Sequence, residues 1–304
     1  MKRDFLSIAD YSKSEIEDLF ELTAKLKAEV KKGVQHHLCK GKTMAMIFAK
    51  PSMRTRVSFE TGMYQLGGSA LYLSPNEIGI GTREAVKDIA RVISRYNDII
   101  MARLFDHAYI LELARHAIVP VINGLTDYNH PCQVLGDIFT ILEHRGNLGK
   151  LKVVFVGDGN NVANSWINLA AKLPMNLTIA CPDEYDPDEE TLDYARKQKI
   201  SRIEIERDPA LAVKDADVIY TDVWASMGQE SESEIRRQIF APYQVNAQLI
   251  RQAKPDVKVL HCLPAHRGEE ITDEVIDGPQ SIVFDEAENR LHMQKAIIVK
   301  LLVN

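Results

Sequence analysis

Apolar positions along this chain follow two alternating rhythms. Short apolar runs bounded by polar, Gly or Pro residues fall at 43–49, 69–73, 98–102, 119–123, 152–156, 177–180, 218–220, 257–261 and 282–285, and these are expected as buried strands. Between them, amphipathic spacing predicts helices at 13–30, 55–66, 84–94, 110–116, 133–145, 163–172 and 189–198. A last helix at 286–302 carries apolar Leu291, Ile297, Ile298 and Leu301. Strands alternating with helices predict an α/β fold of two domains, each a parallel sheet flanked by helices. The turn-rich segment 145–150 follows a long helix and precedes the clearest strand. It sets the boundaries at 1–146 and 147–285, with 286–304 as a separate terminal helix. The polar stretch 229–244 is expected as a surface loop with some helix, and there is no internal repeat.

Bulk properties narrow the class. A chain of 304 residues suits two domains at roughly 150 residues each. A net charge of -6 argues against a nucleic-acid or anionic-membrane partner. No apolar run approaches the ~20 residues of a membrane span. Cys39, Cys132, Cys181 and Cys262 are scattered without Cys-x-x-Cys spacing, as in a reduced cytoplasmic protein.

Ligands of open α/β sheets collect at the carboxyl ends of strands, where this chain places polar clusters at 50–56, 103, 123–133, 157–161, 222–228 and 261–267. Ser52, Arg54, Thr55 and Arg56 lie within one turn of a helix N-terminus. Free N–H groups, the helix dipole, hydroxyls and guanidiniums there suit a phosphate dianion. The alternative is a Ser cap followed by two solvated arginines, although basic residues are disfavoured in a first turn. Arg103, directly after a strand, either adds an anion contact or pairs with an Asp. Pro131 suits a first helical position, which leaves His130 and Gln133 a turn apart and both able to reach a carbonyl group, with Cys132 packing inward.

The second half carries different chemistry. Gly157 and Gly159 begin a dinucleotide fingerprint, but Val162 occupies the third glycine position, which weakens a nucleotide reading. Asn160 and Asn161 suit either an amino-acid head group or a self-stabilised turn. Asp222 can pair with a substrate ammonium, beside the Ser226-Met227-Gly228 turn. Cys262 is either a reactive thiol or a structural one, and Pro264 is a candidate for a cis bond. The histidines lack zinc-like spacing, so no metal is expected. An anionic activated acyl donor meeting an amine is the reaction these groups suit, with cations and dipoles stabilising the departing phosphate and no cofactor required.

Six motifs in order carry a resemblance across essentially the whole chain. They are Phe48-x-Lys50-Pro51-Ser52-x-Arg54-Thr55-Arg56, His130-Pro131-x-Gln133, Gly157-Asp158-Gly159-Asn160-Asn161, Asp222-x-Trp224-x-Ser226-Met227-Gly228, His261-Cys262-Leu263-Pro264 and Glu286-Ala287-Glu288-Asn289-Arg290. In these the chain resembles the ornithine carbamoyltransferases. The resemblance implies that Ser52, Met53, Arg54 and Thr55 bind the phosphate of carbamoyl phosphate. It implies that Arg103, His130 and Gln133 hold the carbonyl end, bordered by Cys262 and Leu263 and closed by Arg290. Asn161, Asp222, Ser226 and Met227 would hold L-ornithine, with Asp222 on the α-ammonium and Cys262 near the δ-amine. Arg103, His130, Asp222 and Cys262 are then the catalytic set, the Cys262 thiolate needing a lowered pKa in a basic site. The terminal helix would pack back on the first domain, and the chain would form a homotrimer or a multiple of trimers. N-acylated ornithine or putrescine is the alternative amine. Two positions depart from the pattern: Met53 stands where the family usually has Thr, and Gly79 stands where many members carry a Gln offered to a neighbouring subunit.

Overall fold

The computed structural model describes residues 2–149, 151–225 and 232–303. The chain forms two compact units, Met1–Gly136 with Asn289–Asn304, and Asp137–Glu288. The sequence-based boundaries stand at 146/147 and 285/286, whereas these divisions fall inside helices.

The first unit runs α1 (Lys13–Lys31), β1 (Thr43–Phe48), α2 (Met53–Gln65), β2 (Ser69–Leu73), α3 (Pro75–Ile78), α4 (Val86–Tyr96), β3 (Ile99–Arg103), α5 (His107–His116), β4 (Val121–Leu125) and the start of α6 (Pro131–Arg145). Its four strands are parallel in the order β2-β1-β3-β4. The chain departs from β1 to one side and returns to the other, so the switch point of this sheet lies between β1 and β3, where α/β sheets place ligands. β1 and β3 are buried along almost their whole length, as continuous apolar strands covered on both faces must be. Register sets Phe48 beside Arg103, which brings the segments after β1 and β3 to one edge. The β3–β4 register shifts between Ala102 and Arg103, an irregularity that re-aims a side chain at the strand end.

α1 starts on a capping box from Ser12 and Glu15 and buries Ile16, Leu19, Phe20, Thr23, Leu26 and Lys27 along one face. The C-terminal segment Asn289–Asn304 packs in this unit, as expected. Lys27 donates to Asn289 Oδ1 at 2.7 Å, and Thr23 Oγ1 lies 3.6 Å from Met293 Sδ. At Gly62 a Cβ would stand 3.2 Å from the Lys295 side chain, so the C-terminal helix approaches α2 closely at this position.

The second unit runs from the rest of α6 through β5 (Lys152–Val156), α7 (Asn161–Ala170), β6 (Asn176–Ala180), α8 (Glu189–Gln198), β7 (Arg202–Glu206), α9 (Pro209–Val213), β8 (Val218–Thr221), α10 (Ser233–Phe240), α11 (Ala247–Ile250), β9 (Lys258–His261) and α12 (Asp273–Ile276) into α13 (Val283–Leu302). Its five parallel strands follow the order β7-β6-β5-β8-β9, with the switch point between β5 and β8. Phe155 and Tyr220 stack at 5.5 Å in its core, with Trp166 edge-on to Tyr220 at 5.6 Å.

The structure differs from the sequence-based reading in three places. The run 282–285 is not a strand: Ser281 makes a single bridge to Val259, and Val283 opens α13, because a four-residue apolar run cannot distinguish strand from buried helix. β7, read as Arg-Ile-Glu-Ile-Glu, was passed over; it is an edge strand whose charges are partly exposed. Within 229–244 the described part is mostly ordered as α10 and a 3₁₀ turn at Ala241–Tyr243, anchored by fully buried Phe240.

Candidate active site

In the first unit the predicted phosphate cradle forms at the N-terminus of α2. Ser52 caps the helix, its Oγ accepting from Thr55 N–H at 3.3 Å. Met53 and Arg54 are the first two helical residues, whose N–H groups lie too early for a partner within the helix. The Met53 side chain is 69 % exposed, so its contribution to an anion would be its backbone. Thr55, fully buried, is the centre of the cluster: its hydroxyl accepts from Ser52 Oγ at 3.0 Å, from Arg103 Nη1 at 3.3 Å and from Arg290 Nη2. A hydroxyl has two lone pairs and one proton. Three donors oversubscribe it, so the longest contact, from Arg103, is the one an incoming anion would replace, and the Thr55 proton remains to be donated.

His130, on the turn before α6, is buried beside the same cations. Burial first, then Arg290 and Arg103, push it well below the usual histidine range, so the imidazole is neutral at pH 7. A neutral ring can offer one N–H to a carbonyl oxygen. Gln133 is buried on the first turn of α6, and Cys132 packs inward with its Sγ 3.4 Å from Asn123 O, as its place between His130 and Gln133 suggested. Gly79 follows α3 with φ +51°, a left-handed conformation that a Gln would adopt only at a cost.

The second cluster gathers at the β5/β8 switch point. Asp222, just after β8, is held by three donors. Cys262 Sγ donates to Oδ1 at 3.0 Å, Val223 N–H to Oδ1 at 2.8 Å and Asn160 Nδ2 to Oδ2 at 2.9 Å. Asn160 also caps α7 through Oδ1, so the first residue of α7 is Asn161. Gly159 is required by packing: a Cβ there would meet Pro187 N at 2.3 Å. This glycine therefore serves a chain crossing, consistent with the failed dinucleotide pattern. Ser226 and Met227 lie outside the described residues. Leu263 has φ +55°, stabilised by its N–H donating to His261 Nδ1 at 2.9 Å, and the Leu263–Pro264 bond is cis.

The expected basic setting for Cys262 is corrected here. Burial first, then the neighbouring Asp222 and Glu286 carboxyls, push the thiol well above the ordinary cysteine range. The group is a protonated S–H donating to a carboxylate. Asp222, His261 and Cys262 bring one potential metal-ligand atom each within 4.8 Å of one another. Both His261 nitrogens are already used, however, Nδ1 by Leu263 N–H and Nε2 by Glu270 at 3.0 Å.

Three further groups stand outside the site residues expected from the sequence. Asn160, weighed only as one of two head-group candidates, binds Asp222 directly. Asp158 pairs with buried Arg236 at 2.9 Å, and burial pushes it up to about 6. Glu286 accepts from His261 N–H at 2.9 Å. The signal for Glu286 was its place at the head of the last motif, where an acid in a first helical turn reads as ordinary dipole compensation.

Residues 3–143 match the family model described as "Aspartate/ornithine carbamoyltransferase, carbamoyl-P binding domain", and residues 149–301 match its "Asp/Orn binding domain". The chain is 56 % identical over 298 residues to the ornithine carbamoyltransferase of Syntrophus aciditrophicus, covering 98 % of this chain and 99 % of that one. It is 54 % identical over 299 residues to the anabolic ornithine carbamoyltransferase of Pyrococcus furiosus, covering 97 % and 95 %. A solved ornithine carbamoyltransferase structure from Pyrococcus furiosus superposes with a TM-score of 0.95 at 52 % identity, covering 99 % of this chain and 97 % of that one.

Proposed function

This chain belongs to the aspartate/ornithine carbamoyltransferase family, and from that premise we propose how its residues divide the work of the reaction. The protein transfers the carbamoyl group of carbamoyl phosphate to the δ-amine of L-ornithine, giving L-citrulline and phosphate. In the first unit, Ser52, the N–H of Met53, Arg54 and Thr55 take the phosphate. Arg103, His130 and Gln133 take the carbonyl end, and Arg290 completes the cationic set. In the second unit, Asp222 takes the α-ammonium with Asn161, Ser226 and Met227, while Cys262 and Leu263 border the reacting groups.

The neutral δ-amine attacks the carbamoyl carbon, and the C–N bond forms as the carbonyl π pair moves to oxygen. Arg103 and the His130 N–H stabilise that oxyanion. Collapse re-forms the carbonyl and breaks the C–O bond, the departing phosphate oxygen takes the surplus proton of the attacking nitrogen, and the phosphate charge is met by Arg54 and the α2 N-terminus. Cys262, a protonated thiol beside Asp222, fits the role of electrostatic partner to the amine better than that of a resident thiolate base.

One observation carries this reading: Arg103, Arg290 and Ser52 converge on the buried Thr55 hydroxyl at a helix N-terminus. Citrulline formation from carbamoyl phosphate tests it, with ornithine, N-acetylornithine, putrescine and aspartate compared side by side. A higher kcat/KM for any amine other than ornithine would overturn the assignment.

The arginine-forming direction is favoured, since the Pyrococcus furiosus relative is named anabolic. Association between copies, which the family resemblance puts at a homotrimer, is supported by exposed apolar residues on α2, Met53, Val57 and Tyr64 at 69 %, 52 % and 78 %, and by Leu71 on edge strand β2. All four cysteines are free, which suits a reducing cytoplasm. No helix among the described residues is long and apolar enough to cross a membrane.

A further inference from the structure

Asp137 and Glu286 are carboxylic acids of the second unit, 0 % and 1 % exposed, and they are hydrogen-bonded to each other through their side chains. Ionised carboxylates only accept, so a bond between two of them requires a proton on one. Glu286 also takes donors from the strands: His261 N–H donates to Oε2 at 2.9 Å, and the Tyr220 hydroxyl lies 3.5 Å from Oε1. His261 ends β9 and precedes Cys262, whose thiol donates to Asp222. A continuous path therefore runs from Asp137 through Glu286 and the His261 backbone to the Cys262–Asp222 contact.

We propose that Asp137 and Glu286 are a positioning pair sharing one proton. The pair fixes the backbone at His261, and so the Cys262 thiol against Asp222, and it presents one negative charge rather than two to the amine-binding cluster. Burial first, then Asp137, raise the Glu286 carboxyl well above its usual range, and both acids contribute to holding the Cys262 thiol up. Burying two acids is a costly way to fill a core, and apolar residues of similar volume would serve stability as well. What apolar residues could not supply is the acceptor for His261 N–H. The positioning role rests on the reading of Asp222 and Cys262 as the ornithine cluster; the charge count does not.

Amide substitutions separate the two parts. In Glu286→Gln the amide donates to Asp137 and its carbonyl accepts from His261 N–H; in Asp137→Asn the amide donates to Glu286. Each single variant keeps one negative charge, and the double variant keeps none. The readout is the rate of Cys262 alkylation by iodoacetamide at pH 8, assigned by peptide mass spectrometry. The single variants stay within about 2-fold of the wild type, and the double variant reacts roughly 10-fold faster or more, because one nearby negative charge has gone. A single variant as fast as the double, or a double variant within about 2-fold of wild type, overturns the shared proton. Positioning is read separately in kinetics. Glu286→Met, which lacks the acceptor, loses roughly 10-fold or more in kcat/KM for ornithine, with carbamoyl phosphate affinity by calorimetry within about 2-fold. Glu286→Gln recovers ornithine kcat/KM to within about 3-fold. Wild-type ornithine kinetics in Glu286→Met refute the positioning role. An unchanged ornithine KM in Asp222→Asn instead refutes the reading of the cluster and leaves the alkylation result standing.

Discussion

Thr55→Val tests the cradle most cleanly, since it removes one oxygen while leaving volume and charge almost unchanged. The lost oxygen accepts from Ser52 Oγ at 3.0 Å, from Arg103 Nη1 at 3.3 Å and from Arg290 Nη2, and its own proton is available for an anion. A neutral hydrogen bond contributes about 1 kcal/mol and a charge-assisted one about 1.5–3 kcal/mol. The Arg103 contact is at the weak end of hydrogen-bond geometry. The change should therefore be dominated by losing the Arg290 seat and the donor to phosphate. Because these groups act together, the losses do not simply add. An overall cost of roughly 2–3 kcal/mol corresponds to carbamoyl phosphate binding weakened about 30- to 150-fold. Calorimetry with carbamoyl phosphate alone measures this, with its KM at saturating ornithine as the second reading. Thr55→Ser, which keeps the hydroxyl, should stay within about 3-fold. The Ser52 cap accepts from the backbone of residue 55, so helix α2 keeps its cap in the substitution. Binding by Thr55→Val within about 3-fold of wild type would refute a cradle organised on this hydroxyl.

Arg54→Ala should weaken carbamoyl phosphate by roughly 10- to 100-fold in calorimetry; normal affinity would place the phosphate elsewhere. Cys262→Ser should keep carbamoyl phosphate affinity within a few-fold and lose most of the turnover in the citrulline assay, so wild-type turnover would remove Cys262 from the mechanism. His130 couples stability to pH. Its folded-state pKa lies below the unfolded value of about 6.5, so both states are neutral above that pH. As pH falls through 6.5 the unfolded chain takes up a proton that the folded one refuses, and stability declines toward the depressed folded value. Denaturant midpoints at pH 7.5 and 5.5 should differ less in His130→Gln than in wild type; equal differences would show that His130 is not the coupled group.

Much of this protein was legible because its chemistry sits on strong local signals. Ser52 to Arg56 follow an apolar strand, and positive charge in a first helical turn is anomalous enough to point at a ligand. Asp222 and Cys262 likewise follow β8 and β9 directly. What stayed hidden depends on strand order, which no local pattern contains. β1 neighbours β3, and β5 neighbours β8, so the segments after those strands meet, Thr55 with Arg103 and Asn160 with Asp222. The surroundings of Cys262 were misread for the same reason. Its chain neighbours include His261, but its spatial neighbours are Asp222, just after β8, and Glu286 of α13. β7 escapes a hydrophobic-run search because an edge strand tolerates charges at alternate positions, as Arg202, Glu204 and Glu206 show.

The two clusters carry opposite charge, and this has a consequence for the chemistry. Arg54, Arg103 and Arg290 suit a dianionic donor, and burial, with Arg290 and Arg103, keeps His130 neutral so that the ring can offer an N–H to the carbonyl oxygen. Asp222, Asp158 and the Asp137–Glu286 pair suit a cationic amino acid. Yet the reacting nitrogen must lose its proton, and each nearby negative charge stabilises the ammonium form and opposes that loss. An amine site with every acid ionised would therefore bind ornithine well and activate it poorly. Arg236 offsets Asp158 at 2.9 Å, and a shared proton removes one charge from Asp137 and Glu286. Asp222 is then left as the carboxylate that faces the substrate, strong enough to hold the α-ammonium and with less surplus field to keep the δ-amine protonated. On this argument the Asp137→Asn/Glu286→Gln double variant, which removes the last shared charge, should shift the alkaline rise of kcat/KM for ornithine toward lower pH, while either single variant leaves it in place.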